Sequence, residues 1–255
     1  MKQAYFRDGK ANYNDIVWWP RGGDWKNQSP TPNVNTRYMY FFINTLQDGP
    51  VVVELPPAVP GASFYGTIED AWHVPLVDIG FEGKGGKYLV LPPDYQGDVP
   101  DGYTPVRPNT HNTMTLLRSI LTSLSEKAVQ AGDELVKPVK ICPLPKAASP
   151  PAQRLLDMSD VMFNGLVKYD ETFFTSLARV LNEETVQPRD LQMMGMLLPL
   201  GIEKGKEFTP EAATVPMLTA LTSFSDGLTL IPAVSIISHP AITGPVGNLK
   251  MGSLQ

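Results

Sequence analysis

The sequence predicts an α+β protein in which a jelly-roll-like antiparallel β-sandwich over residues 33–145 precedes a helical subdomain over residues 150–222. Two observations predict this class. Up to about residue 142, short apolar segments recur between glycine and proline turns, and beyond it the apolar spacing becomes helical. The 25 prolines and 21 glycines are spread along the chain, as expected where many short strands are joined by turns.

The first 32 residues are predicted to form an irregular lead segment with a short helix near residues 3–8. This segment is polar and aromatic. Its tryptophans, Trp18, Trp19 and Trp25, are expected to clamp it onto the body of the fold, because large aromatic side chains contribute most of their energy when buried.

The sandwich strands are predicted from aromatic and β-branched segments that end at turn residues. They cover residues 38–44, 51–55, 63–70, 74–79, 87–91 and 113–120, and a helix over 125–136 leads to a last strand over 139–142. The clearest alternation lies in residues 63–70, where Phe64 and Ile68 are predicted in the core and share their face with Gly66 and Asp70. The opposite face holds Tyr65, Thr67 and Glu69.

Later residues are assigned by helical spacing. Residues 146–153 are predicted to be a linker, and residues 154–222 to be helical. One helix is expected over 170–184, a second from Pro188, and a third from Thr209, where Pro210 occupies the first helical position. Residues 223–255 are left unassigned.

Composition excludes several classes of function. A net charge of −5 across 255 residues gives no basic surface for nucleic acid. No stretch approaches the roughly 20 apolar residues that span a bilayer. No signal peptide is recognised at the N-terminus, which leaves a cytoplasmic location open. Cys142 is the single cysteine, so no internal disulfide forms, and its apolar context predicts a small buried hydrophobe.

The densest polar cluster of the β region runs from Glu69 to His73. Asp70 and His73 are predicted as an acid/base pair, or as ligands of a metal, with Trp72 beside them. The alternative is that both side chains bond to the backbone at a strand end. His111 either joins this site from another loop or is solvated.

A second polar cluster precedes the first sandwich strand and contains Asn33, Asn35, Arg37 and Tyr38. Amide and hydroxyl groups can orient a sugar, or coordinate calcium together with Asp70. They can equally form turns that fix the strand. The complete predicted ligand-binding set is Asn33, Asn35, Arg37, Tyr38, Trp72, His111 and Arg118.

These landmarks have the order and spacing of a known family. They include Asn35-Thr36-Arg37-Tyr38, Gly49-Pro50-Val51-Val52, Asp70, Leu116-Leu117-Arg118 and the segment from Leu200 to Phe208. Over residues 28–222 the chain resembles the bacterial family known as domain of unknown function 1254. The resemblance implies a jelly-roll-like fold and an exported or periplasmic protein, and it transfers no reaction.

Two departures from the family pattern matter. Asn35 stands where the family usually has aspartate, which weakens a metal or general-base role there. The resemblance also implies a second β domain, and none is recognised in this sequence. We therefore expect an exposed sandwich face or sheet edge to be covered either by residues 223–255 or by another copy of the chain. The second is favoured, which predicts a homo-oligomer with residues 223–255 contributing to the contact.

Two functions are compatible with these residues. The first is a hydrolase-like enzyme, or a protein that binds a small ligand or carbohydrate, with a polar pocket on the sandwich. The second is a non-catalytic sandwich that serves structure or assembly, because a fold of this kind does not decide function.

Overall fold

The computed structural model describes residues 1–29, 33, 36–170, 172–210 and 215. These residues form a mixed α/β fold with several sheets, mostly antiparallel, and few helices. The strands are β1 (Ile16–Trp18), β2 (Asn27–Gln28), β3 (Arg37–Asn44), β4 (Val51–Leu55), β5 (Ala62–Asp70), β6 (Pro75–Ile79), β7 (Gly86–Val90), β8 (Thr104–Val106), β9 (Asn112–Leu121), β10 (Lys140–Pro143), β11 (Leu155–Asp157) and β12 (Phe163–Asn164). The α-helices are α1 (Lys2–Arg7), α2 (Thr45–Asp48), α3 (Glu126–Val136), α4 (Thr172–Glu183) and α5 (Leu191–Leu197).

Two larger sheets organise the described chain. The six-stranded sheet has the order β11-β1-β3-β9-β5-β6, and the four-stranded sheet has the order β10-β4-β7-β8. A small third sheet pairs β12 with β2. The centre of the larger sheet is antiparallel, whereas β1 and β11 pair in parallel, as do β7 and β8.

The main core lies between the inner faces of these two sheets. Met39, Phe41 and Ile43 of β3 share one apolar cluster with Val51 and Val53 of β4. Because alternate residues of a strand point to opposite faces, each strand contributes every second side chain to this core. The result is a β-rich, sandwich-like arrangement, and the end of α3 adds further apolar side chains to it.

Strand β5 follows the predicted alternation. Phe64 and Ile68 are buried in the main core, and Tyr65 on the other face is 39% exposed. The predicted helix after Ser125 is also present, and the Ser125 hydroxyl caps it by accepting from the Ala128 amide. Cys142 is buried, as expected from its apolar neighbours.

The outer face of the six-stranded sheet is partly covered by the N-terminal segment. Tyr5 and Trp19 pack there with Phe42 and Phe163 in a second apolar cluster. The prediction that the N-terminal segment is irregular is therefore wrong at β1 and β2. These strands are too short to be predicted from the spacing of apolar residues. Trp18 and Trp19 are buried as expected, but Trp25 is 72% exposed.

The region after the sandwich is less helical than predicted. Residues 155–157 and 163–164 are strands, because they pair in parallel with β1 and β2 of the N-terminal segment, a partnership that local spacing does not reveal. Helices α4 and α5 are present, and Phe174, Leu181 and Met193 form a third apolar cluster between them. The helix predicted from Thr209 and the unassigned segment 223–255 fall largely or wholly outside the described residues.

Candidate functional site

The predicted site residues divide between two places in the structure. One is the outer-face patch, which we define as Tyr38, Tyr40, Tyr65, Glu69, His73 and Arg118 on the outer side of the six-stranded sheet. The other is the seam, which we define as Asp70, Trp72, His111, Asn112, Glu184 and Arg189, between the β structure and the helical subdomain.

Strand register assembles the outer-face patch. Tyr38 of β3 lies opposite Arg118 of β9, which in turn lies opposite Tyr65 of β5. Glu69 is four residues further along β5, so it lies roughly 13 Å from Tyr65 at about 3.3 Å per residue. Tyr40 lies between these two ends, since both Arg118 and Glu69 act electrostatically on its hydroxyl.

Arg118 has an unusual environment for a half-buried cation. Its guanidinium carbon stands 5.4 Å from the centroid of the Tyr38 ring, a cation–π contact. No carboxylate pairs with it among the residues that the structure describes. A half-buried guanidinium with five donors and no counter-charge is suited to hold a carboxylate or phosphate.

His73 and Glu69 form the other end of the patch. The His73 Nδ1 is 3.0 Å from Glu69 Oε2, and the His73 side chain is 62% exposed whereas that of Glu69 is 19% exposed. His73 has a left-handed backbone, with φ of 60°. A carboxylate that bonds one ring nitrogen orients the imidazole and leaves the other nitrogen accessible for proton transfer.

Tyr40 supplies a protonated hydroxyl in the middle of the patch. Burial raises the pKa of Tyr40 to about 12, with smaller contributions from the neighbouring charges. The Tyr38 and Tyr40 rings stack with centroids 6.3 Å apart. The Tyr40 phenol therefore remains a hydrogen-bond donor at neutral pH.

Asp70 lies on the inner face of the same strand and is only 2% exposed. Its Oδ1 accepts from the amides of Trp72 at 2.8 Å and Val74 at 3.0 Å. Arg189 approaches its other oxygen at 3.7 Å. The His73 side chain thus contacts Glu69 and not the Asp70 carboxylate, whereas the His73 amide donates to the Asp70 carbonyl. Asp70 ties down the turn, which was the alternative interpretation of this residue.

Glu184 is the second buried carboxylate of the seam. Its oxygens accept from the His111 amide at 2.6 Å, the Asn112 amide at 3.1 Å and the Asn112 side-chain amide at 2.6 Å. Burial raises the pKa of Glu184 even though these hydrogen bonds oppose the shift. These contacts fasten the end of α4 to the start of β9.

Trp72 and His111 complete the seam. The Trp72 ring packs against the apolar cluster of α4 and α5. The Trp72 Nε1 and the His111 Nδ1 are both buried without a hydrogen-bond partner among the described residues. The seam therefore contains buried polar groups, but its carboxylates are occupied by backbone amides.

Arg37, Asn33 and Asn35 are the remaining predicted residues. Arg37 is on the inner side of β3, where it pairs with Asp133 of α3 at 2.5 Å. Asn33 is exposed, and Asn35 lies outside the described residues. The predicted ligand-binding set is therefore divided, and the structure brings Tyr38 and Arg118 of that set into direct contact.

Neither a metal centre nor a membrane span emerges from the described part of the chain. No three His, Cys, Asp or Glu side chains in it converge to hold a metal ion. Its helices are all too short or too polar to cross a bilayer. The calcium site considered from the sequence gains no support there.

Sequence reasoning missed Glu69, Tyr40 and Tyr65 as members of the patch. The signal for Glu69 was present, because alternation places it on the face opposite Asp70. Tyr40 and Tyr65 become neighbours of Arg118 only through strand register, which the sequence does not specify. Glu184 and Arg189 were missed because they come from the distant helical subdomain.

Comparison with known protein families identifies the family of this chain. The family described as "Protein of unknown function (DUF1254)" matches residues 13–143, half of the sequence. The chain belongs to this family. Its matched region contains every residue of the outer-face patch.

A solved structure supports the fold. The VPA0106 protein from Vibrio parahaemolyticus is similar, with a TM-score of 0.61 and 16% sequence identity. The similarity covers 88% of this chain and 53% of the Vibrio protein, so the chain spans about half the length of that relative. At this identity the likeness concerns the fold alone. None of the curated proteins compared with the chain matches it.

Proposed function

We propose that the protein binds a small organic anion on the outer-face patch. One observation carries this proposal: Arg118 is half-buried over Tyr38 and has no carboxylate partner among the described residues. Keeping a charge partly away from water is costly unless it is paired, and an anionic ligand supplies that pairing.

The remainder of the patch indicates what the rest of the ligand offers. Tyr38 presents a half-buried phenol, and the buried Tyr40 beside it adds a hydroxyl group, which together suit a polyhydroxylated molecule. Glu69 lies roughly 13 Å along β5 from Tyr65, the residue opposite Arg118, so a ligand that reaches both ends of the patch is extended. A sugar acid combines a carboxylate, hydroxyl groups and this size, and it is the class that we propose.

Calorimetric titration of glucuronate, with glucose as the uncharged comparison, tests this proposal. We expect glucuronate to bind more tightly than glucose, and Arg118→Met to weaken its binding about tenfold or more. Arg107→Met is the matched control, because Arg107 is an exposed arginine that contacts only the Tyr95 carbonyl among described residues. Equal affinities of the Arg118 and Arg107 variants would refute the assignment.

A hydrolase-like activity is the second candidate, and the contact between His73 and Glu69 favours it. In this proposal His73 takes a proton from a water molecule that attacks the carbonyl carbon of an ester of the bound molecule, and Glu69 orients the imidazole. The bond between that carbon and the alcohol oxygen then breaks, and His73 returns the proton to the departing alcohol. Hydrolysis of p-nitrophenyl acetate should then fall in His73→Gln, with an unchanged folded state. An unchanged rate would leave binding, or the non-catalytic assembly role, as the function.

Two finer structural statements remain proposals. We propose that the facing sheets are jelly-roll-like, which is supported by a chain that crosses between the two sheets several times, including at β3 to β4, β4 to β5, β6 to β7, β8 to β9 and β9 to β10. We also propose a homo-oligomer, supported by exposed apolar side chains such as Leu191, Met196 and Leu198. Light scattering at micromolar concentration tests the second, and a mass of 28.0 kDa would contradict it.

A further inference from the structure

A groove lies beside α3, away from the outer-face patch. It has a volume of about 480 Å³ and is bounded by α3 on one side and by the ends of β1 and β11 on the other. Its apolar surface comes from Trp18, Pro20, Val129 and Leu155. This volume falls within the range of roughly 300–1,000 Å³ that is usual for small-molecule sites.

Carboxylates dominate the polar lining of the groove. Two of them are neutralised within the protein: Asp133 pairs with Arg37 at 2.5 Å, and Glu134 pairs with Lys137 at 2.6 Å. The other two, Glu126 and Asp157, form no ion pair in the described part of the chain, although Arg21, which pairs with Asp160, lies near enough to interact electrostatically with Asp157. The groove therefore carries an excess of negative charge.

The two unpaired carboxylates come from different elements. Glu126 opens α3, whereas Asp157 ends β11 opposite Trp18 in the parallel pair with β1. The Asp157 Oδ1 accepts from the Ser159 amide at 2.8 Å, which fixes the orientation of that carboxylate. Trp18 is buried in the main core, so the part of its side chain that lines the groove is held rigidly.

We propose that this groove binds a small organic cation with an apolar body, such as a quaternary ammonium compound. The charge complementarity of Glu126 and Asp157 selects the positive group, because opposite charges a few ångströms apart near a protein surface attract appreciably. Apolar contact with Trp18, Val129 and Leu155 holds the remainder of the ligand. An anion is disfavoured by the same carboxylates.

Calorimetric titration of the full chain with benzyltrimethylammonium tests this inference, and benzyl alcohol is the uncharged comparison. We expect the cation to bind and the alcohol to bind at least tenfold more weakly. The double variant Glu126→Gln, Asp157→Asn should weaken cation binding tenfold or more, and it keeps the Oδ1 acceptor for Ser159. The expected affinities should also fall as salt concentration rises.

The matched control is the double variant Asp98→Asn, Asp101→Asn, which removes two exposed carboxylates from the connection between β7 and β8. It changes the net charge of the protein equally and should bind the cation as the unmodified protein does. Equal weakening in both double variants would show a general charge effect and overturn the site. Absence of cation binding by the unmodified protein, or equal binding of benzyl alcohol, would also overturn it.

Discussion

Each face of β5 ends in a carboxylate, but the two carboxylates have different partners. The inner face ends with Asp70, a buried carboxylate whose bonds go to backbone amides. The outer face ends with Glu69, a partly exposed carboxylate whose partner is the His73 side chain. Adjacent carboxylates thus lie in different environments, because successive residues of a strand point to opposite sides of the sheet.

The seam and the outer-face patch repeat this contrast on a larger scale. Each contains a carboxylate, a histidine, an arginine and aromatic rings. In the seam the carboxylates of Asp70 and Glu184 are saturated by donors from the protein. In the patch the guanidinium of Arg118 has no counter-charge among described residues. Residue types alone therefore do not identify a site, and the partners of each charged atom are more informative.

Truncation of the inner face should have the largest effect. Phe64→Ala removes a side chain that is 4% exposed in the main core and should cost about 3–5 kcal/mol of unfolding free energy. Tyr65→Ala, one residue along the strand, should cost less than about 1 kcal/mol, because most surface changes are small. Denaturant unfolding measures both, and similar losses would contradict the separation of the two faces.

The turn held by Asp70 should give the next largest effect. Asp70→Ala leaves the Trp72 and Val74 amides without their acceptor and should cost about 2–4 kcal/mol. Asp70→Asn keeps the Oδ1 acceptor and should cost about 1 kcal/mol. Neither change should alter glucuronate affinity while the protein remains folded. Loss of affinity in the folded Asn variant would place Asp70 in the binding site after all.

Sequence reasoning was most successful where one strand determines the outcome. The alternation of residues 63–70 correctly predicted that Phe64 and Ile68 are buried. The same alternation separated Glu69 from Asp70, although the motif Glu69-Asp70-Ala71-Trp72-His73 had suggested a pair between Asp70 and His73. In the structure the Asp70 Oδ1 accepts from amides of the turn, and the His73 side chain contacts Glu69.

Contacts between distant segments could not be predicted from the sequence. The strands at residues 155–157 and 163–164 exist because the N-terminal segment pairs with them, and each is too short to show its own period. Arg37 was expected beside Tyr38, but the two point to opposite faces, and Asp133 of a later helix pairs with Arg37. Long-range pairing of this kind needs the folded chain.

Glu184 should show a smaller loss of stability that depends on pH. Glu184→Gln replaces an acceptor oxygen with an amide that faces the His111 or Asn112 donors, and it should cost about 1–3 kcal/mol at acidic pH. Denaturant unfolding measures this loss. Glu203→Gln is the control, because Glu203 is a carboxylate elsewhere in the helical subdomain.

The sign of the pH dependence follows from the raised pKa of Glu184. In the folded protein the Glu184 side chain stays protonated above its ordinary pKa of 4.5, at pH values where the unfolded chain has released that proton. The contribution of Glu184 is therefore most favourable below pH 4.5 and declines as the pH rises through the raised pKa. The advantage of the unmodified protein over Glu184→Gln should shrink over that interval, and an increasing advantage would contradict the burial of this carboxylate.

The smallest effect on stability is expected at His73, where the outer-face patch should be most sensitive in function. His73 has a φ of 60°, a left-handed backbone that glycine adopts without strain. The contact with Glu69 is largely solvent-exposed on the histidine side and contributes little to folding. His73→Gly should therefore unfold within about 1 kcal/mol of the unmodified protein, while His73→Val should cost about 1–3 kcal/mol through backbone strain. A loss of more than about 2 kcal/mol in the glycine variant would show that the imidazole stabilises the turn. It would contradict the proposed role of His73 in the chemistry of the outer face.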